Sequence, residues 1–424
     1  MSRASENILA AADRLEEAGR ELRQRPAAGN LSGLAALLDA WSQKDGPWQR
    51  ELAAELPKQT GFTEATIREG LSLGLADWNG EALHRLVQRE LGSAERLDEA
   101  GDPMVSGFPY TACILAGSIP MPTLQTLLLP LVLRSPVLAK TSSRDRLTAR
   151  LVAASLSEID PLLGRCIEIV DSSSDDVEAT RALLEAPCIV AMGSDTSLEN
   201  LSRYKQAHQR FVGYGHRLSL AVVGQELLRG PAQSEWADRL ARDTALWDQS
   251  GCLSPAAVYS VGSADDAMAI AETLAGALAR AQARWPRGDL PKAEAAAIAH
   301  ERDQAHMRTA SGEEVAVLAS PGTEWTVVRE AEATWRPTPL MRFLRVYPVS
   351  DAASFFAALT PLSRWLATVA IDGFGAQTAP MQRALANAGV TRIVPAGRMQ
   401  APRFDWYHDG SPLLTPLTRF CDRE

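Results

Sequence analysis

Cys252 lies in the run Leu246-Trp247-Asp248-Gln249-Ser250-Gly251-Cys252-Leu253-Ser254-Pro255, where a small Ser-Gly pair leaves the sulfur approachable. A thiolate there can attack a carbonyl carbon. With that carbon held against a nicotinamide ring, the chemistry would be capture of an acyl group followed by hydride transfer. The residue type alone leaves a second reading open, because a cysteine is commonly a small buried hydrophobe. Upstream lie turns rich in glycine and hydroxyls: Gly117-Ser118-Ile119-Pro120, Lys140-Thr141-Ser142-Ser143 and Gly193-Ser194-Asp195-Thr196. Turns of this composition, where a strand gives way to a helix, offer backbone N–H groups to phosphates.

The elements that must position these residues alternate. Ala112 to Leu115, Pro136 to Ala139, Cys166 to Val170 and Cys188 to Met192 read as strands. Helix-like stretches follow them, to about Leu133, from about Arg144 to Ile159, around Val177 to Glu185 and after Thr196. This alternation predicts a parallel sheet with crossover helices, whose strands are buried on both faces and bind ligands at their carboxyl ends. The GxGxxG fingerprint is absent, which weakens a standard dinucleotide-fold assignment. His216 to Val223 reads as a further strand, and around Gly230-Pro231 the chain is expected to enter a second domain. There Glu235 to Gln249 reads as a helix delivering Cys252, followed by strand Pro255 to Val261 and helix Asp265 to Trp285. Thr323 to Val328 and Phe343 to Val349 read as strands, and Asp351 to Trp365 as a helix. The expected division is a helical segment over 1–105, a nucleotide-binding domain over 106–230, a catalytic domain over 231–395 and a tail over 396–424.

Composition sets bounds. A chain of 424 residues, 46% hydrophobic, can bury a large core in two or three units. A net charge of -9 argues against a nucleic-acid footprint. The five cysteines are scattered without a CxxC pair, and the six histidines show no HExxH spacing, so neither a disulfide framework nor a metal site is signalled. Leu124 to Leu133 is apolar but short and contains Pro130, so no membrane span is expected. The N-terminus opens into a charged amphipathic helix without an apolar h-region, which points to a cytoplasmic protein.

Taken in order, Gly117-Ser118-Ile119-Pro120, Lys140-Thr141-Ser142-Ser143, Gly193-Ser194-Asp195-Thr196 and Gln249-Ser250-Gly251-Cys252 resemble the aldehyde dehydrogenase superfamily. Within it the chain is similar to the acyl-CoA reductases typified by the fatty-acid reductase of bacterial bioluminescence. The tail Asp405-Trp406-Tyr407-His408-Asp409-Gly410 and the run Gly213-Tyr214-Gly215-His216-Arg217 carry that narrower likeness, over about residues 105 to 424. The resemblance implies an α/β, aldehyde-dehydrogenase-like fold: two parallel-sheet domains with an N-terminal helical segment and a C-terminal tail. It makes Cys252 the acyl-accepting nucleophile and Lys140 the lysine that holds the adenosine ribose, with Thr141 and Ser142 beside it. Gly193 and Ser194, continuing into Asp195 and Thr196, match the turn and helix start under the pyrophosphate. Ser118 stands where the superfamily usually carries an oxyanion-donating asparagine, and a serine hydroxyl is a shorter single donor. The glutamate that activates water in hydrolytic relatives has no counterpart in Gly213 to Arg217. An acyl-enzyme lacking that base resists hydrolysis and is suited to thioester exchange with coenzyme A, which is nearly balanced energetically.

The expected activity is therefore reduction of an acyl-CoA to an aldehyde through acyl-Cys252. No carboxylate follows Lys140 until Asp145, which favours NADPH, with NADH as the alternative. The competing readings are a reductase that takes its acyl group from a carrier protein or an acyl-protein synthetase partner, and a catalytically weak binding subunit. The resemblance also implies a homo-oligomer.

Overall fold

The computed structural model describes residues 2–228 and 231–424. These form two compact units: the chain up to Thr60 with Gly74–His216 and Arg403–Glu424, and Gly61–Leu73 with Arg217–Pro402.

In the first unit five strands make a wholly parallel sheet, in the order Ile167–Val170, Val137–Lys140, Thr111–Ile114, Cys188–Met192, Arg210–Tyr214. Numbered along the chain this order is 3-2-1-4-5, a doubly wound sheet whose direction of build reverses between its first and fourth strands. Ala112, Cys113, Leu138, Ala139, Ile189 and Ala191 have no accessible surface, as helices on both faces require. One of those helices is Arg3–Gln24. Its Ile8, Ala11 and Leu15 recur at helical spacing and pack with Ala112, Leu138, Ile189 and the helix Val177–Leu183. The C-terminal segment also belongs here. His408 stacks on Tyr214 and on Trp406, at 4.4 and 4.8 Å between ring centres, and Arg89 lies over Tyr407. Two short strands, Met104–Ser106 and Arg419–Cys421, pair antiparallel.

The second unit is built on seven strands in the order Arg392–Val394, Leu366–Asp372, Leu218–Val223, Pro255–Val261, Phe343–Val349, Thr326–Arg329, Ala316–Ala319. All are parallel except the last. One face packs on helices Gln233–Ala245 and Ala264–Arg284 through Trp236, Leu240, Ile270 and Leu274. The other packs on Ala352–Leu359 and Thr378–Asn387 through Phe355, Leu359 and Leu385.

Several expectations differ from what is found. The strand read over 216–223 is found as Leu218–Val223 inside the second sheet, and a strand that was not foreseen, Arg210–Tyr214, closes the first. The change of unit therefore falls at His216/Arg217, ahead of the expected passage, whose Gly230 lies outside the described residues. The helix expected over 235–249 ends at Ala245. Leu366–Asp372 is a central strand that was not foreseen. Residues 61–73, expected to belong with the N-terminal helices, group with the second unit.

The packing of the first helix yields a test. Leu15 has no accessible surface. Leu15→Ala should lower unfolding free energy by about 2–5 kcal/mol in urea titrations, whereas a change near zero would show that this helix adds nothing to the core.

Candidate active-site residues

At the carboxyl ends of the first sheet the strand-end turns are tied to one another. Gly117 follows the first strand with φ +81°, and a Cβ built on it would meet open space. Its carbonyl accepts from Ser142 Oγ at 2.6 Å, and Ser142 Oγ accepts from Arg144 N at 3.1 Å. Thr141 donates to Asp171 at the end of the third strand, and Arg150 pairs with the same carboxylate. Lys140 is half-buried at the end of its strand. Burial pushes its ammonium below the usual lysine range, Asp171 opposes that shift, and Arg146 adds to it. Ser118 is 6% exposed, just before the helix Pro120–Val132.

Ser194 is the N-cap of helix Asp195–Ser202, accepting from Ser197 N at 3.2 Å. Gly193 through Thr196 thus form a turn into a helix start, with Ser194, Asp195 and Thr196 exposed. Asp195 turns its Oδ1 to the backbone N–H of His216 at 2.8 Å. A Cβ at Gly215 would sit 2.5 Å from that oxygen, so the approach depends on glycine. Lys140, Thr141, Ser142, Ser118 and Gly193–Thr196 all belong to the first unit, and Cys252 belongs to the second.

Cys252 is exposed, in the loop just before strand Pro255–Val261. The nucleophile candidate therefore lies at the amino end of its sheet. Its carbonyl accepts from Ser219 Oγ at 2.6 Å, and Ser219 Oγ accepts from Thr368 N at 3.2 Å. Cys113, Cys166 and Cys188 are buried in the first unit, and burial pushes the thiols of Cys166 and Cys188 up to about 12. Among the described residues, no group of three or more histidine, cysteine or carboxylate side chains is arranged to hold a metal ion. No described helix is long and apolar enough to cross a membrane.

What breaks the helix ahead of Cys252 is a feature the sequence did not announce. Trp247, Asp248 and Gln249 have φ of +56°, +48° and +62°, three consecutive left-handed residues without a glycine. Such residues cost of order 1–3 kcal/mol each and persist only where surroundings hold them. Here Arg342, itself in a left-handed run with Leu340 and Met341, donates from Nε and Nη2 to Asp248 Oδ1 at 3.0 and 2.6 Å. Its remaining donors go to Gln282 Oε1 and to the carbonyls of Trp285 and Ala245. Gln249 Nε2 donates to the carbonyls of Pro255 and Phe343, while its Oε1 accepts from Phe343 N. Trp247 packs edge-on to Phe62, and a Cβ at Gly70 would come within 2.2 Å of its ring.

The fold is that of the aldehyde dehydrogenases. A NAD-dependent benzaldehyde dehydrogenase from Corynebacterium glutamicum superposes with a TM-score of 0.73 at 13% identity, over 98% of this chain and 89% of its own. An NADP-dependent glyceraldehyde-3-phosphate dehydrogenase from Bacillus halodurans C-125, solved with NADP, gives 0.73 at 14% identity over 98% and 90%. Residues 30–420 match the acyl-CoA reductase (LuxC) family, and the chain belongs to that family. The long-chain acyl-protein thioester reductase of Aliivibrio fischeri is 25% identical over 395 residues, 91% of this chain and 79% of that protein. That of Photobacterium phosphoreum is 24% identical over 357 residues, 81% and 69%. The chain is accordingly an acyl reductase of the LuxC family, built on the fold of the aldehyde dehydrogenases.

Arg342→Met would leave the Asp248 carboxylate, 6% exposed, without its partner. Removing one member of a buried pair costs about 3–5 kcal/mol, so the denaturation midpoint should fall accordingly. Arg342→Lys should restore little of it, because one ammonium cannot span the same acceptors. A loss below about 1 kcal/mol in Arg342→Met would remove the pair from its structural role.

Proposed function

We propose that the protein reduces an acyl thioester to an aldehyde through a covalent acyl-Cys252 intermediate, using NADPH and releasing the donor thiol. The observation that carries this reading is the exposed Cys252, held just after a fixed left-handed turn, while Cys113, Cys166 and Cys188 are buried.

The Cys252 thiolate attacks the carbonyl carbon of the donor thioester, forming a C–S bond and a tetrahedral oxyanion. Collapse breaks the bond to the donor sulfur, which leaves as a thiol after taking a proton, and the acyl group stays on Cys252. The reduced dinucleotide, when bound, supplies a hydride to the acyl carbon. The hemithioacetal on Cys252 then breaks its C–S bond, giving the aldehyde and restoring the thiolate. Lys140 is assigned to the adenosine ribose and Gly193–Thr196 to the pyrophosphate. Ser118 is assigned as a side-chain oxyanion donor, with the backbone N–H of Cys252 as the other. The absence of a glutamate from Gly213 to Arg217 supports a long-lived acyl-enzyme, because no carboxylate there can activate water.

NADPH preference is supported by the fate of the nearby carboxylates. Asp145, the first after Lys140, is buried and spends its oxygens on the N-terminus of helix Leu147–Ile159, accepting from Leu147 N, Thr148 N and Thr148 Oγ1 at 3.1, 2.9 and 2.6 Å. Asp171 is engaged by Thr141 and Arg150. Neither is left to claim a ribose diol, the usual device for selecting NADH.

The donor has two readings. Coenzyme A thioesters are supported by the family match, and acyl-protein thioesters by the activity for which the relatives are named. In either case the acyl group would pass to Cys252 by thiol exchange.

Purified protein should oxidise NADPH with stoichiometric aldehyde when given a panel of acyl-CoAs or an acyl-protein donor. Cys252→Ala should lose about a thousandfold or more of that rate. Aldehyde production that survives the substitution would rule out the covalent scheme. A clear kcat/KM preference for NADH would refute the cofactor assignment. Turnover with the acyl-protein and none with any acyl-CoA would select the second donor.

A further inference from the structure

We propose that Arg392 is the positioning residue that keeps the Cys252 sulfur in its thiolate form, with Asp243 as the buried counter-charge behind it. The proposal rests on the reading of Cys252 as the nucleophile and deepens it.

The topology brings Arg392 to the correct edge. It opens the strand Arg392–Val394 and lies in register with Thr368 of the neighbouring strand. The backbone N–H of Thr368 donates to Ser219 Oγ, and that hydroxyl donates to the Cys252 carbonyl. The four adjacent parallel strands that begin at Arg392, Leu366, Leu218 and Pro255 thus present their amino ends together, and Cys252 stands at the last of them.

The Arg392 side chain reaches the carbonyls of the turn at 398–401. Nη1 donates to Met399 O at 2.8 Å, and Nη2 to Arg398 O and Ala401 O at 2.7 and 3.1 Å. The same turn is tied down on two other sides. Gly397 N–H donates to Asp243 Oδ2 at 2.6 Å. Gln400 Nε2 reaches both the Asp243 carbonyl, at 3.0 Å, and Ser254 Oγ, at 2.8 Å, two residues past the nucleophile. Residues 397–401 therefore couple Arg392, Asp243 and the Cys252 loop into one rigid assembly.

The electrostatics agree with this geometry. Burial lowers the Arg392 guanidinium to about 10, Asp243 and Cys252 oppose the shift as anions, and Arg398 adds to it. Burial pushes the Asp243 carboxyl up to about 7, against the amides of Gly397, Met399 and Gln400 and the charge of Arg242. Burial thus weakens Asp243 as a counter-charge, and a buried guanidinium favours a second anion nearby. Interaction between two charges is mutual, so what an ionised Cys252 does for Arg392, Arg392 does for the thiolate.

The test reads the thiol directly. In a Cys421→Ser background, which removes the other exposed cysteine, iodoacetamide alkylation of Cys252 is followed by peptide mass from pH 5 to 10. Wild-type protein should titrate below the ordinary cysteine value of about 8.5. Arg392→Gln should move the midpoint up by about one unit or more, a tenfold loss of thiolate at low pH, and Arg392→Lys should recover part of it. A folded Arg392→Gln protein with the wild-type curve overturns the proposal, even where its kcat has fallen. Should Arg392→Gln not fold, Asp243→Asn serves instead. Removing that counter-charge should shift the Cys252 midpoint down at pH above 7, and an unchanged midpoint overturns the proposal. Failure of the nucleophile reading would look different: Cys252→Ala would go on making aldehyde whatever the alkylation curves show.

Discussion

Arg342 is buried with its five N–H donors engaged, two of them on Asp248, and this one pairing lets the chain turn left-handed ahead of Cys252. Two unfavourable backbone runs, 247–249 and 340–342, face each other across it. Gln249 repeats the device one residue on by mimicking a strand partner for Phe343. Without these bonds the helix from Gln233 would have no reason to stop at Ala245, and a cysteine continuing that helix would not enter strand Pro255–Val261 as it does. Buried ion pairs are weak evidence for net stability, but they specify one geometry when the alternative is an unpaired charge. That is the use made of this one.

On the proposed reading the two sheets serve different chemistry from opposite ends of their strands. The first would offer its carboxyl ends, where Ser142 bonds Gly117, Thr141 bonds Asp171, and Asp195 holds the backbone of His216, a set of polar turns suited to a dinucleotide. The second offers its amino ends, where no helix N-terminus is needed and a reactive side chain can be set by hydroxyl and amide bonds from Ser219 and Gln400. A nucleophile must be approachable yet immobile, and the proposed role suits Cys252, whose carbonyl is held by Ser219 while the residue is exposed.

Much of this was legible in the residue order. Strands Cys188–Met192, Pro255–Val261 and Phe343–Val349 have the bounds read from their apolar runs. The polar turns after Ile114, Lys140 and Met192 fall where glycine and hydroxyl side chains mark them. What stayed hidden depends on partners remote in sequence. Leu366–Asp372 follows a helical stretch with no glycine or proline between them, so period alone does not separate the two. The helix end at Ala245 is set by Arg342, nearly a hundred positions on, and no local residue signals it. Residues 61–73 join the second unit because Gly70 admits the Trp247 ring, which needs the absence of a side chain. Arg392 carries no motif at all, and only strand register places it by Ser219 and Cys252.

On the proposed reading an acyl group is held on one sulfur, that of Cys252, between exchange and reduction. The most direct measurement is to mix the protein with an acyl thioester donor in the absence of any dinucleotide, quench in acid and map the acyl group by peptide mass spectrometry. One acyl equivalent is expected, as a thioester on the peptide containing Cys252, stable to water and discharged as aldehyde when NADPH is added. Acylation absent from Cys252, or an acyl-enzyme that yields free acid in place of aldehyde on adding NADPH, would contradict it.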